Sequence, residues 1–174
     1  LFDRLALSSD DDVVFVGDLL VRGPKPLDVL DIVRDIGARS IRGNHEYRLL
    51  QWRDRMRRSK RRDRGPIGTT GPRATAEQLR EQDWAFVENL PLWLNWPEHD
   101  LLVVHAGIVP GVPIEQQEER NLLFMRCITA DGEPTHHRDG GTWWGALYHG
   151  GPHVAFGHNA LHEPQLHEHA TGLD

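Results

Sequence analysis

Two short apolar runs, each closing on a glycine and then on residues able to bind a metal, limit what this chain can fold into. Val13-Val14-Phe15-Val16 leads into Gly17-Asp18, and Ser40-Ile41-Arg42 leads into Gly43-Asn44-His45-Glu46. Short apolar runs bounded by turn-formers read as buried strands. Between the two, Pro24 and Pro26 suit a first helical turn, where a missing N–H costs nothing. Leu27, Val29, Leu30, Ile32, Val33 and Ile36 recur at helical spacing with Asp28, Asp31, Arg34 and Asp35 outward, and Gly37 suits the residue after the helix. Strand, loop, helix, strand is a βαβ unit, so the two strands are expected to be parallel. Ligands of open α/β sheets bind beyond the carboxyl ends of the strands. Asp18, Arg22, Asn44 and His45 are therefore expected at one edge of one sheet.

Two more buried strands are expected at Leu101–Val104 and at residues 154–156. His105-Ala106-Gly107 follows the first and Gly157-His158-Asn159 the second. Residues 91–96 read as a short strand and residues 116–128 as helical. Residues 47–58 continue as a helix from Glu46 and open an arginine-rich stretch that runs to Arg64. Residues 65–72 read as a loop. Thr75 with Gln78 matches a capping box, which starts a helix carrying Leu79, Phe86, Val87 and Leu90 and stopped by Pro91. No final strand is visible after Asn159. Residues 1–7 look like the tail of an amphipathic helix, and the chain reads as cropped at both ends. Its 174 residues suit one domain, 1–174, with a basic helical insertion around 51–75.

A net charge of −6 argues against general attraction to nucleic acid or membranes. No apolar run approaches the roughly 18 residues of a membrane span. The one cysteine, Cys127, excludes an internal disulfide and fits a reducing, cytoplasmic compartment.

Four times a hydrophobic strand ends beside a metal-type ligand: Asp18, Asn44, His105 and His158. A lone histidine is ordinarily a core or surface residue; four ligands at equivalent strand ends point to metal instead. A carboxylate can bridge two cations, and an amide oxygen with two imidazoles completes a mixed N/O shell suited to Mn, Fe or Zn rather than Mg or Ca. Two such cations about 3.5–4 Å apart can hold a bridging hydroxide and clamp phosphate oxygens for in-line displacement. His45 can protonate the leaving oxygen, and Arg22 can hold a phosphate oxygen through two N–H groups. The arginines from Arg53 to Arg73, with Lys60, either receive a polyphosphate chain or nucleic acid or, as the favoured reading, form a solvated helix face. Trp143 and Trp144 either stack on a base or, for at least one of them, pack in the core. His136, His137, His149, His153, His162, His167 and His169 read as surface. Glu46 either steers His45 or places its charge at a helix N-terminus.

Gly-Asp-x-x-x-Arg-Gly at 17–23, Gly-Asn-His-Glu at 43–46, His-Ala-Gly at 105–107 and Gly-His at 157–158 resemble the calcineurin-like metallophosphoesterases, in their phosphoprotein-phosphatase branch. Residues 17–50 are most similar to the bacterial symmetrical diadenosine-tetraphosphate hydrolases. The resemblance implies a four-layer α/β/β/α sandwich with two divalent metal ions and hydrolysis of nucleoside polyphosphates or polyphosphate. It also implies Asp18 as the bridging carboxylate, Asn44, His105 and His158 as ligands of the second metal, and His45 as general acid. Arg22 and, more distantly, Arg126 match phosphate-binding arginines. Two departures stand out. No Asp-x-His precedes Asp18 to supply the first metal's own ligands. Val21 stands where protein serine/threonine phosphatases carry an aspartate that orients the acid, which favours the phosphorylated small molecule over a protein substrate. A serine/threonine phosphatase, and a catalytically silent relative that binds phosphorylated ligands or a partner, are the alternatives.

Overall fold

The computed structural model describes residues 6–8, 11–58 and 71–173. The expectations for residues 1–5, and for Lys60, Arg61, Arg62 and Arg64, lie outside the described residues. The strands are β1 (Val14–Phe15), β2 (Arg39–Ser40), β3 (Trp93–Trp96), β4 (Leu101–Val104), β5 (Cys127–Ile128), β6 (Pro134–Thr135), β7 (Thr142–Trp143), β8 (His153–Phe156), β9 (Gln165–Leu166) and β10 (Ala170–Gly172). The helices are α1 (Pro26–Asp35), α2 (Asn44–Arg58), α3 (Pro72–Ala76), α4 (Glu81–Glu88) and α5 (Glu119–Phe124).

β1 and β2 pair in parallel across α1, with Val14 opposite Arg39. A mixed five-stranded sheet runs β3-β4-β8-β10-β9, and β6-β5-β7 form a small antiparallel sheet. Alternation along β4 decides the layering, because successive strand side chains point to opposite faces. Val103 and Leu101 face Ile41, Val14 and Val16 of the small parallel sheet, with Trp96. Leu102 and Val104, joined by Val154 and Phe156, face α5 and the β5 region through Leu122, Met125, Ile128 and Trp144. A third cluster joins α1, α2 and α4 through Leu30, Leu49, Trp84 and Val87, closed by Leu20. Helices thus lie on one side and α5 on the other of two stacked sheets, a mixed α/β arrangement. No helix among the described residues is long and apolar enough to cross a membrane.

Four expectations change. The helix read from Thr75 is two helices, α3 and α4, and the working capping box is Arg80 with Asp83, whose carboxylate accepts the Arg80 backbone N–H at 2.8 Å. Residues 116–128 hold only the short α5 and then β5. A closing strand does exist: β10 lies parallel to β8, Ala170 opposite Val154. Arg53 is not solvated but buried, its guanidinium 4.2 Å from the Trp84 ring centre and paired with Glu88, so it ties α2 to α4.

Asp83 is fully buried and bonded by Arg34 at 2.7 Å and Arg80 at 2.8 Å. Burial pushes its carboxyl up, but hydrogen bonds from the Arg80 side chain and backbone and from Arg34 outweigh that and hold it near about 2, below the usual 3.8. A depressed carboxyl stabilises the fold above its unfolded pKa and loses that contribution as pH falls through the folded value. Asp83→Asn is expected to cost roughly 2 kcal/mol at neutral pH, since it removes the buried anion that Arg34 and Arg80 share and leaves them only the more exposed Asp31. In chemical denaturation the gap from the parent should narrow as pH falls from about 4 to about 2.

Candidate metal centre

The loops after β1 and β2 meet backbone to backbone. A Cβ on Gly17 would lie 2.6 Å from the Gly43 nitrogen, and one on Gly43 would lie 2.2 Å from Asp18 Oδ1. Only glycine at both places lets the two turns close. Glu46 locks the junction. Its side chain is fully buried, Oε2 accepting the N–H groups of Asp18 (2.8 Å) and Gly43 (3.0 Å) and Oε1 that of Leu20 (3.0 Å). Burial, with the Asp18 charge next, pushes the Glu46 carboxyl up to about 7. Of the two roles expected for Glu46, the place at a helix N-terminus is the one found: it stands in the first turn of α2 and accepts the Gly43 N–H, and the same carboxylate is the clamp that presents Asp18 to Asn44.

Asp18, Asn44, His105 and His158 converge. Ligand atoms of Asp18, His105 and His158 all lie within 4.8 Å of one another. Asn44 Oδ1 sits 3.1 Å from both His105 Nε2 and His158 Nδ1. Asp18 Oδ1 is 3.6 Å from His105 Nε2 and accepts the His45 backbone N–H at 3.0 Å. His105 Nδ1 lies 2.7 Å from the Val16 carbonyl oxygen, which can only accept, so Nδ1 carries the proton. In the neutral ring Nε2 then turns a lone pair towards the Asn44 oxygen. Burial, followed by the charges of His105 and Arg126, lowers His158 to about 3, so its ring is neutral near pH 7. Ring nitrogens and oxygens gathered this closely fit a cation, with the His105 Nδ1 bond to Val16 fixing that ring as in known metal sites. Asp18, Arg22 and His158 hold positive φ values of 56°, 80° and 73°. Left-handed backbone is costly for side-chain-bearing residues and collects at functional sites.

His45 is mostly buried, with Nε2 3.7 Å from Asp18 Oδ2. Burial lowers its pKa; the Asp18 charge opposes this, and Arg22 and Arg48 reinforce it. A cavity of about 610 Å³ opens beside these groups, lined by Asp18, Arg22, Asn44, His45, Arg126 and His158, and also by Arg48, Phe124, His136 and Arg138. All the expected site residues therefore border one space except His105, which is buried beneath it. Arg126 holds its place by donating to Asn159 Oδ1 at 2.6 Å.

Some lining residues escaped the sequence reading. Arg48 follows Asn44 by one helical turn on α2, a spacing that puts both on one face. His136 was read as surface; it is partly buried, its ring 5.9 Å from Phe124. Three more of the scattered histidines are likewise half-buried: His153, whose Nε2 meets Thr171 Oγ1 at 2.9 Å, His167, which has a buried Nε2, and His169. Trp144 is core, its indole N–H donating to the Ala106 carbonyl at 3.0 Å.

The sequence profile of the calcineurin-like phosphoesterases matches residues 1–172. The chain is 32% identical over 127 residues to the symmetrical bis(5′-nucleosyl)-tetraphosphatase of Shewanella baltica. It is 33% identical over 126 residues to that of Shewanella sediminis. Each alignment takes in 71% of this chain and 43% of the relative, so the chain spans less than half the length of these curated relatives. Among solved structures, one provisionally described as a diadenosine tetraphosphatase superposes with a TM-score of 0.83 at 27% identity, covering 99% of this chain and 74% of that one. A metallophosphoesterase from Sphaerobacter thermophilus shares the fold at a TM-score of 0.55 and 22% identity, over 88% of this chain and 51% of its own. By profile, sequence and fold alike, the chain belongs to the calcineurin-like phosphoesterase family.

Proposed function

We propose that this chain hydrolyses phosphoric esters or anhydrides with divalent cations held at Asp18, Asn44, His105 and His158, and that nucleoside polyphosphates are its substrate class. The observation that supports this best is the convergence of four ligand-bearing side chains, with Asn44 Oδ1 3.1 Å from two imidazole nitrogens and ligand atoms of Asp18, His105 and His158 within 4.8 Å of one another. When bound, divalent cations at such a site supply Lewis acidity towards water and phosphate oxygens. The mixed N/O donor set favours Mn, Fe or Zn.

The remaining work falls to the chain. Arg22, exposed at the cavity rim, takes phosphoryl oxygens through paired N–H groups, and Arg126 adds charge on the other wall. His45 gives a proton to the leaving oxygen. Asp18 is the group that favours a proton on His45, and burial is what opposes it. The names of the relatives support a nucleoside polyphosphate, as does Val21 in place of an acid-orienting aspartate. The buried thiol of Cys127 is compatible with a cytoplasmic setting.

The test is turnover of diadenosine tetraphosphate, tripolyphosphate and a phosphopeptide by the full-length protein, before and after chelation. Chelation is expected to abolish turnover and Mn²⁺ to restore it. His45→Ala is expected to lower kcat by about 10²-fold with little change in KM. Preference for the phosphopeptide would move the assignment to a protein phosphatase. An active parent indifferent to chelation and to His45→Ala would overturn the mechanism.

A further inference from the structure

The chain is acidic overall, at −6, yet its site cavity is the reverse: four arginines line it with a single carboxylate, Asp18. Arg22 and Arg126 are accounted for by one phosphoryl group beside the cation ligands. Arg48 and Arg138 are not. Neither forms an ion pair among the described residues. Arg48, an exposed residue, rises from α2 one turn beyond Asn44, lies 5.5 Å from the Phe124 ring centre and lines the cavity. Arg138 comes from the loop between β6 and β7 and donates to the Asn159 carbonyl. Arg126 donates to the same residue's Oδ1. Two guanidinium groups are thus anchored on one residue, directly after the ligand His158. Arg138 adds a positive charge to the cavity wall beside Arg126, Arg48 adds another from α2, and an anion in the cavity is attracted to each.

We propose that Arg48 and Arg138 form a second phosphate subsite, so that the cavity takes a chain of at least two phosphoryl groups laid across the cation ligands; this rests on the hydrolase reading above. One phosphoryl group would sit at Asp18 and Arg22, and the next would meet Arg48 or Arg138. A cavity of about 610 Å³ is ample for such a chain and larger than a lone phosphate needs. The subsite reads phosphates, which both inorganic polyphosphate and nucleoside polyphosphates supply.

The experiment uses the full-length protein and its Arg48→Ala, Arg138→Ala and Arg48→Lys variants. Turnover of p-nitrophenyl phosphate, tripolyphosphate and diadenosine tetraphosphate is compared, and tripolyphosphate and orthophosphate binding is titrated by calorimetry. Each alanine variant should raise KM for tripolyphosphate roughly 10-fold or more, the worth of one charge-assisted hydrogen bond. KM for p-nitrophenyl phosphate should rise far less than KM for tripolyphosphate, and Arg48→Lys should keep most of the affinity. Tripolyphosphate binding should weaken by the same factor as KM rises, with orthophosphate binding unaltered. Unchanged tripolyphosphate binding, or equal losses for monoester and chain, would overturn the subsite. A loss confined to the dinucleotide would also overturn it, placing the arginines against the nucleoside. The titration reads binding alone, so a parent without turnover would defeat the hydrolase reading and still decide the subsite.

Discussion

Asp18→Asn is expected to reduce turnover to background and to weaken Mn²⁺ binding by more than about 100-fold. Asp18 is the only carboxylate in the convergent set, between His45 at 3.7 Å and His105 at 3.6 Å. Removing even an outer partner of a metal ligand typically costs about 10–100-fold in affinity, so loss of the one anionic ligand must cost more. The amide is nearly isosteric. Its remaining oxygen can still accept the His45 N–H, and Glu46 still binds the Asp18 N–H, so the loop keeps its place. Circular dichroism and melting of the metal-free variant should match the parent, while calorimetric titration with Mn²⁺ should be nearly flat. Retained Mn²⁺ affinity would remove the carboxylate from the site.

Gly43→Ala is expected to destabilise the metal-free protein by about 2–3 kcal/mol and to abolish cation binding with it. Backbone conformation is not the obstacle, since Gly43 is absent from the positive-φ glycines. The obstacle is space. The added methyl would lie 2.2 Å from Asp18 Oδ1, 2.4 Å from the Asp18 nitrogen and 2.8 Å from Glu46 Oε2. Two of these belong to the bond that clamps the loop, so no flexible end can swing aside. Overpacking of this kind typically costs about 1–3 kcal/mol, and breaking the buried Glu46 bonds adds to it. The measurement is urea denaturation of the metal-free protein beside Mn²⁺ titration. A variant as stable as the parent, with Mn²⁺ affinity intact, would mean that the two turns do not touch.

The skeleton was legible where hydrophobicity alone determines it. Leu101–Val104 is an apolar run closed by charged Asp100 and by His105, and it forms β4 with those limits. β1, α1 and β2 follow the βαβ reading because period and punctuation agree there. β10 was not legible: Ala170-Thr171-Gly172 has no apolar run, and it is a strand because β8 and β9 supply its partners. The boundary between α3 and α4 was hidden because Thr75 and Gln78 imitate a cap. In the fold Gln78 Nε2 donates instead to the Ala74 carbonyl at 2.9 Å, and the buried Asp83 caps from Arg80. Asp18, Asn44, His105 and His158 could be read because each follows its own strand. Arg138 and His136 could not, since loops between short strands carry no period to aim a side chain. Burial of Arg53 was likewise invisible, because it depends on Trp84 and Glu88 of a helix far along the chain.

The claim on which the rest stands is that one cation site joins four strand ends. Anomalous diffraction from crystals of the full-length protein soaked in Mn²⁺ addresses it directly. The predicted result is a peak within about 2.0–2.4 Å of Asn44 Oδ1, His105 Nε2, His158 Nδ1 and an Asp18 oxygen. A peak bound elsewhere, with these four side chains bridged only by water, would contradict it.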